Sequence, residues 1–313
     1  VGRWEEALAA AEEAVHIRRR LAVANPDAYE PALASALSNL GNRMSEVGRW
    51  EEALAAAEEA VHIRRRLAVA NPDAYEPALT ASQSNLARAY LAAGDLGRAI
   101  PLYERTLVDS ERVLGSDHPD TLISRNNLAG AYESAGDLGR AIPLYERTLV
   151  DSERVLGSDH PDTLNALGSL AASYAQAGRI DEAITLLERV TSDFVRVLGS
   201  DHPHTLSARH NLALWRGEAG DAAGAAAAFA DLLADFVRVL GSDHPHTLSA
   251  RHNLALWRGE AGDAAGAAAA FADLLADRER VLGSDHPDTL TTRGNLSHWR
   301  GEARSSAAHQ STD

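Results

Sequence analysis

FVRVLGSDHPHTLSARHNLALWRGEAGDAAGAAAAFADLLAD, residues Phe194 to Asp235, returns without a single change as Phe236 to Asp277. A tandem unit of 42 residues marks an array in which each copy buries its apolar face against its neighbours. The same period extends outward from this block. Glycines stand at Gly94, Gly136, Gly178, Gly220 and Gly262, after which the register meets Arg304. A second mark, Gly-Ser-Asp-His-Pro, falls at 115–119, 157–161, 199–203, 241–245 and 283–287. Towards the N-terminal side the period lengthens to 46, with Val1–Leu33 repeated unchanged as Val47–Leu79.

Each mark has a helical meaning. A Gly such as Gly94 ends one helix, because it tolerates positive φ, and the Asp or Arg after it opens the next. Gly115 can close a helix, Asp117 can cap the following one, and Pro119 suits its first turn. In the longer unit Trp50, Ala53, Leu54, Ala57, Ala60, Val61 and Leu67 recur at three- and four-residue spacing, the pattern of a core-facing helix. Asn71-Pro72-Asp73 breaks that helix, and Tyr75-Glu76-Pro77 starts another. Two short turns per period, without β-type alternation, predict an all-α solenoid of antiparallel helix pairs. Fourteen helices are expected: an unpaired one over 3–24, six pairs, and an unpaired one over 286–303. The expected domain is a single solenoid over 1–303, with 46-residue repeats in 1–93 and 42-residue repeats in 94–303. The segment RSSAAHQSTD, 304–313, reads as a disordered polar tail.

Composition narrows the function. The net charge of −15 argues against nucleic acid as a partner, since phosphate binding needs a basic face. The absence of Cys excludes disulfides, thiolate zinc sites and cysteine nucleophiles. No apolar run nears the roughly 20 residues of a membrane span and no signal peptide opens the sequence, so the pattern predicts no membrane partner and a cytoplasmic location. Every cation apart from His is Arg; an Ala- and Arg-rich, Lys-free sequence fits high-GC coding.

The stretch Ser38–Val61 resembles a tetratricopeptide repeat (TPR). Leu128, Ala129, Tyr132, Ala141 and Tyr145 stand where that pattern has its Leu, small and aromatic residues. The 42-residue form is similar, more narrowly, to the repeats of kinesin light chains and their bacterial relatives. This resemblance implies a right-handed TPR superhelix and a noncatalytic scaffold for protein–protein interaction. The duplicated block departs from it: Trp215 and Trp257 precede Arg216 and Arg258, which take the Tyr position. Arg216 can carry its charge to solvent while Trp215 fills the neighbouring gap. Phe194 and Phe236 replace the Ser of Ser110 and Ser152; falling on the stripe with Val190 and Val197, Phe194 is expected to be buried.

Chemistry is sparse. Asp201-His202-Pro203-His204 offers metal-ligand types, but the two His are two apart at a helix start and do not share a face. Capping of the helix is favoured, and neither a metal nor a cofactor is expected. There is no Walker-type phosphate loop and no Gly-x-Ser-x-Gly element, and pairs such as Glu58-Glu59 read as a solvated face, so the chain is not expected to be an enzyme. What remains is a surface. The resemblance implies that the first helix of each pair lines a concave groove, through positions two before and two after the conserved Leu. These are Ser38, Asn42, Arg88, Asn126, His210, Leu214, His252, Leu256 and His298, among small residues such as Gly168 and Ala172. They are expected to hold a peptide or protein segment, with Arg88, Asn126, His210 and His252 foremost. Two other roles stay open: the sensor arm of a larger nucleotide-switch signalling protein, and a structural repeat joining head to tail through its unpaired terminal helices.

Overall fold

The computed structural model describes residues 2–310. Among them the chain forms fourteen helices and no strand. They are α1 (Gly2–Ala24), α2 (Pro26–Glu46), α3 (Trp50–Ala70), α4 (Pro72–Ala92), α5 (Leu96–Leu114), α6 (Pro119–Ser134) and α7 (Leu138–Leu156). There follow α8 (Pro161–Gln176), α9 (Ile180–Leu198), α10 (Pro203–Glu218), α11 (Ala222–Leu240), α12 (Pro245–Glu260), α13 (Ala264–Leu282) and α14 (Pro287–Gln310). Even-numbered helices are the first of each pair, odd-numbered ones the second.

Both sequence marks act as helix punctuation. Gly94 and Gly115 take φ of 76° and 89°, a conformation only Gly enters without strain. After the first mark, the Asp95 carboxylate accepts from the Arg98 amide at 3.0 Å and starts α5. The second mark works differently from the sequence expectation. The cap is the imidazole, not the Asp: His118 Nδ1 accepts from the Asp120 amide at 3.1 Å, and His202 and His244 do the same for His204 and His246 at 3.2 Å. The neighbouring Asp is thereby free to reach another repeat. Asp117 receives two bonds from Arg154 on α7, at 2.9 and 2.6 Å. Asp243 receives two from Arg280 on α13, at 2.8 and 2.6 Å. Bidentate Arg–carboxylate pairing fixes orientation as well as contact.

Three further features differ from the sequence pattern. Helix α4 begins at Pro72, earlier than Tyr75, because the Asn71 side chain caps it by accepting from the Ala74 amide at 3.4 Å. Pro77 therefore lies inside the helix. Trp50, placed on the core stripe, is 45% exposed, since it opens α3 before the helix meets its neighbours. The last helix continues through Gln310, so 304–310 is helical where a disordered tail is expected; residues 311–313 lie outside the described ones.

Packing divides the chain into two units, residues 1–169 and 170–313. In the first, Ala53, Ala57, Ala60 and Val61 of α3 are buried against Leu37 and Leu40 of α2 and Leu86 of α4. Small side chains let the helices approach closely: a Cβ on Gly41 of α2 would stand 3.1 Å from the Ala53 carbonyl oxygen. In the second unit Phe229 and Phe271 are fully buried, with Leu232 and Leu274 beside them, in two clusters that recur at the repeat spacing. Phe194 and Phe236 are buried, as their stripe predicts.

Candidate functional site

Within each unit consecutive helices pack antiparallel, and even-numbered helices also touch in series, α2 with α4 and α4 with α6, then α10 with α12 and α12 with α14. The even helices thus make up one face. The groove residues named from the sequence all lie on these even-numbered helices.

In the first unit, Asn42 and Arg88 come together across successive helices. The exposed Arg88 guanidinium donates to Asn42 Oδ1 of α2 and, at 3.3 Å, to Asn85 Oδ1 on its own helix. Beside Arg88 a hollow of about 310 Å3 opens between α4 and α6, lined by Ser84, Asn85, Ile123 and Asn127 among others. Asn126 edges a second hollow of about 160 Å3 with Asn165, Thr148 and Ser152; its Oδ1 is buried and accepts no hydrogen bond. Ser38 does not join this surface. It is buried, and its hydroxyl donates to the Ala34 carbonyl at 3.1 Å, which withdraws it from any ligand.

In the second unit the His residues are structural partners as well as surface groups. His210 meets the Phe229 ring edge-on at 5.0 Å, and its Nε2 lies 3.2 Å from the Asn253 amide. His252 repeats this geometry with Phe271 at 5.2 Å and Asn295 at 3.3 Å. Leu214 and Leu256 are half-buried and pack into the Phe229 and Phe271 clusters, which leaves little of them for a ligand. His298 is exposed, its ring 4.8 Å from Trp299.

Burial holds the His210 imidazole below its usual range, with His246 adding to the effect. Burial, aided by the Arg278 charge and opposed by Asp288, pushes His252 down to about 4. An imidazole kept neutral in the fold binds fewer protons than in the unfolded chain. Stability from this source is therefore complete above the unfolded pKa and is lost as pH falls from there towards about 4. The second unit is expected to lose about 2 kcal/mol from His252 between pH 7 and 5, and His252→Gln to flatten that dependence. Urea denaturation at the two pH values measures it, and an unchanged slope in the variant would refute it.

Several side chains central to the architecture lie outside the sequence-derived set. Arg125, fully buried on α6, donates to Asp151 at 2.7 Å and to Glu111 at 3.3 Å. Arg209–Asp235 and Arg251–Asp277 repeat the first of these bonds at 2.7 Å and the same separation of 26 residues. That spacing is visible in the sequence, so the tie is legible there. The Tyr position also has a fixed role. Tyr132 donates to Glu104 at 2.6 Å while Arg140 covers its ring at 4.1 Å. In the duplicated block Arg216 instead pairs with Glu188 at 2.7 Å. The displaced Trp257 is buried against Gly217 of the preceding even helix.

No set of three His, Asp or Glu side chains among the described residues is arranged to hold a metal ion. No described helix is long and apolar enough to cross a membrane.

The fold is thus that of an all-α repeat protein built from antiparallel helix pairs, with neighbouring helices and turns inside a unit tied by Arg–carboxylate bonds such as Arg112–Glu76, Arg154–Asp117 and Arg280–Asp243. Tetratricopeptide repeat models match residues 33–72, 78–149, 140–194, 169–236 and 247–288, and the chain belongs to that family. A Podosopora anserina protein described as a kinesin light chain with nearly identical TPR-like repeats is 31% identical, with a TM-score of 0.59, over 64% of this chain and 94% of that one. BtubC (BKLC) from P. vanneervenii is 23% identical, with a TM-score of 0.65, over 76% of this chain and 94% of that one. A signal transduction ATPase with numerous domains and a tetratricopeptide repeat sensor, from Pyrococcus horikoshii, is 11% identical with a TM-score of 0.64. It is covered over 39% of its own length and 86% of this chain, a likeness of fold alone. No curated protein matches the chain. The repeats are kinesin-light-chain-like, and the fold is that of a protein–protein interaction scaffold.

Proposed function

We propose that the face formed by the even-numbered helices binds an extended peptide or protein segment. The observation that carries this reading is the polar row of Asn42, Asn85 and Arg88, set beside the hollow of about 310 Å3 between α4 and α6. Amide side chains can pair with both the N–H and the C=O of a peptide backbone. Arg88 has five donors, of which two Asn oxygens engage one nitrogen, so it retains capacity for a partner's carbonyl or carboxylate. Asn126 supports the same role farther along, since it lines a second hollow and its buried oxygen has no hydrogen-bond partner. Modest contacts of this kind sum along a groove, as expected of a scaffold whose ligand is a segment of chain.

A peptide array identifies a ligand, and fluorescence anisotropy then measures its affinity for variants. Arg88→Glu is expected to weaken binding about tenfold or more, and Asn126→Ala several-fold. An array without a bound peptide, or affinities unaffected by both changes, would sink the reading.

A further inference from the structure

We infer that the second unit contains an oxyanion-binding site on its even-helix face, with Arg278 as the cation and a peptide-borne carboxylate or phosphate as ligand. In the repeat register Arg278 takes the place that Phe194 and Phe236 hold in the two preceding copies. An apolar ring satisfies the packing there, so the guanidinium is not needed to fill space. Arg278 is nevertheless 4% exposed. Its Nη1 donates to the Asp288 backbone oxygen at 2.9 Å and to Thr292 Oγ1 at 2.6 Å, and lies 3.4 Å from His252 Nδ1. Its Nε is buried with no partner at all.

None of these partners is a carboxylate. Arg125, Arg209 and Arg251, also drawn into the fold, each bond one at 2.7 Å. A guanidinium does not deprotonate in a protein, and a buried charge without a counter-charge is costly. Arg278 therefore carries an unmet demand for an anion. The equivalent Arg64 of the first unit uses its second terminal nitrogen on Ser35, at 3.0 Å. At Arg278 that closure is missing, and Ser249, the register counterpart of Ser35, edges a hollow instead.

This hollow measures about 300 Å3. At roughly 30 Å3 per water it has room for an oxyanion with part of its hydration. Arg278, His252, Asn253, Ser249 and Thr291 line it, supplying a charge, an amide and hydroxyls as donors. The opposing element is Asp288, whose side chain is 60% exposed on the rim. Solvent screens a charge so placed, whereas the buried guanidinium acts at close range. As an anchor for a bound peptide this site rests on the groove reading above, but it can be measured with free ions.

The test titrates the intact chain with sodium acetate and, separately, sodium phosphate at constant ionic strength. NMR follows the Arg278 Nε–H and the His252 ring. A saturable shift of both signals with either anion is expected, and the stronger anion identifies carboxylate or phosphate as the preferred group. Arg278→Phe, which restores the residue of the neighbouring copies, should weaken binding about tenfold. Asp288→Asn should strengthen it, an effect that a purely structural Arg278 would not produce. Absence of a saturable shift, or binding unaffected by either substitution, would overturn the inference. If acetate binds while no peptide binds and Arg88→Glu is silent, the groove reading fails and the anion site stands. A bound peptide with no response at Arg278 to either anion leaves the groove standing and overturns the anion site.

Discussion

Arg125→Ala is expected to lower the unfolding free energy of the first unit by about 4 kcal/mol. The guanidinium is fully buried on α6 and joins Glu111 of α5 to Asp151 of α7. Deleting it removes both bonds and leaves a cavity in the middle of three helices. The two acids do not become wholly unpaired, since Asp151 keeps Arg154 at 3.1 Å and Arg147 lies within 4 Å of both. Burial works against the Asp151 charge, yet the bonds from Arg154 and Arg125 hold its carboxyl below the usual range. That depression means the acid's contribution is present above its unfolded pKa and fades as pH falls through the folded one. Arg125→Met restores the lost volume without the charge, so it should recover roughly half of the deficit. Urea denaturation followed by circular dichroism measures the loss, and amide hydrogen exchange shows whether it falls on α5 to α7. A change below about 1 kcal/mol for the Ala variant would mean that the tie contributes nothing net.

Much of this architecture is legible in the sequence because its signals are local. Gly with positive φ, Pro in the first turn and an apolar stripe at helical spacing each act within one helix end or one face. They place fourteen helices where the structure has them. The departures come where two neighbouring groups compete for one task. In Asp-His-Pro either side chain could cap; the imidazole does so, and Asp117 turns outward to Arg154. At the start of α4 both Asn71-Pro72 and Pro77 carry initiation signals, and the side-chain cap at Asn71 decides.

The interaction face is harder to read for a related reason. Its candidate residues follow from register alone, and register does not reveal where a hydroxyl's hydrogen bond goes. Ser38 donates its own to the backbone of the helix that carries it. Arg278 shows the converse. The exchange of Phe236 for Arg278 is plain in the sequence, but the lack of a carboxylate hydrogen-bonded to the guanidinium exists only in three dimensions.

Trp257→Ala is expected to cost the second unit about 4 kcal/mol, and the same substitution should reverse the effect of Gly217→Ala. Trp257 is 7% exposed and lies against α10, where a Cβ on Gly217 would stand 2.5 Å from its ring. Gly217 lies in the last turn of α10, where Gly costs less helix propensity than the roughly 1 kcal/mol of a helix centre, so α10 gives up only a fraction of that to accommodate the ring. With Trp257 present, Gly217→Ala must displace a rigid indole held by the Phe229 cluster, at a cost of about 2 kcal/mol. With Trp257→Ala in place the obstruction is gone, and Gly217→Ala should stabilise slightly, by about 0.5 kcal/mol, through partial filling of the cavity and a last-turn gain in helix propensity. Gly259 and Trp299 repeat the geometry, again with 2.5 Å between the ring and an added Cβ, so the pair one repeat later should show the same reversal. A double-mutant cycle by urea denaturation reads it. If Gly217→Ala destabilises equally with and without the ring, the displaced Trp is not what requires Gly there, and the link between the two departures from the repeat pattern is lost.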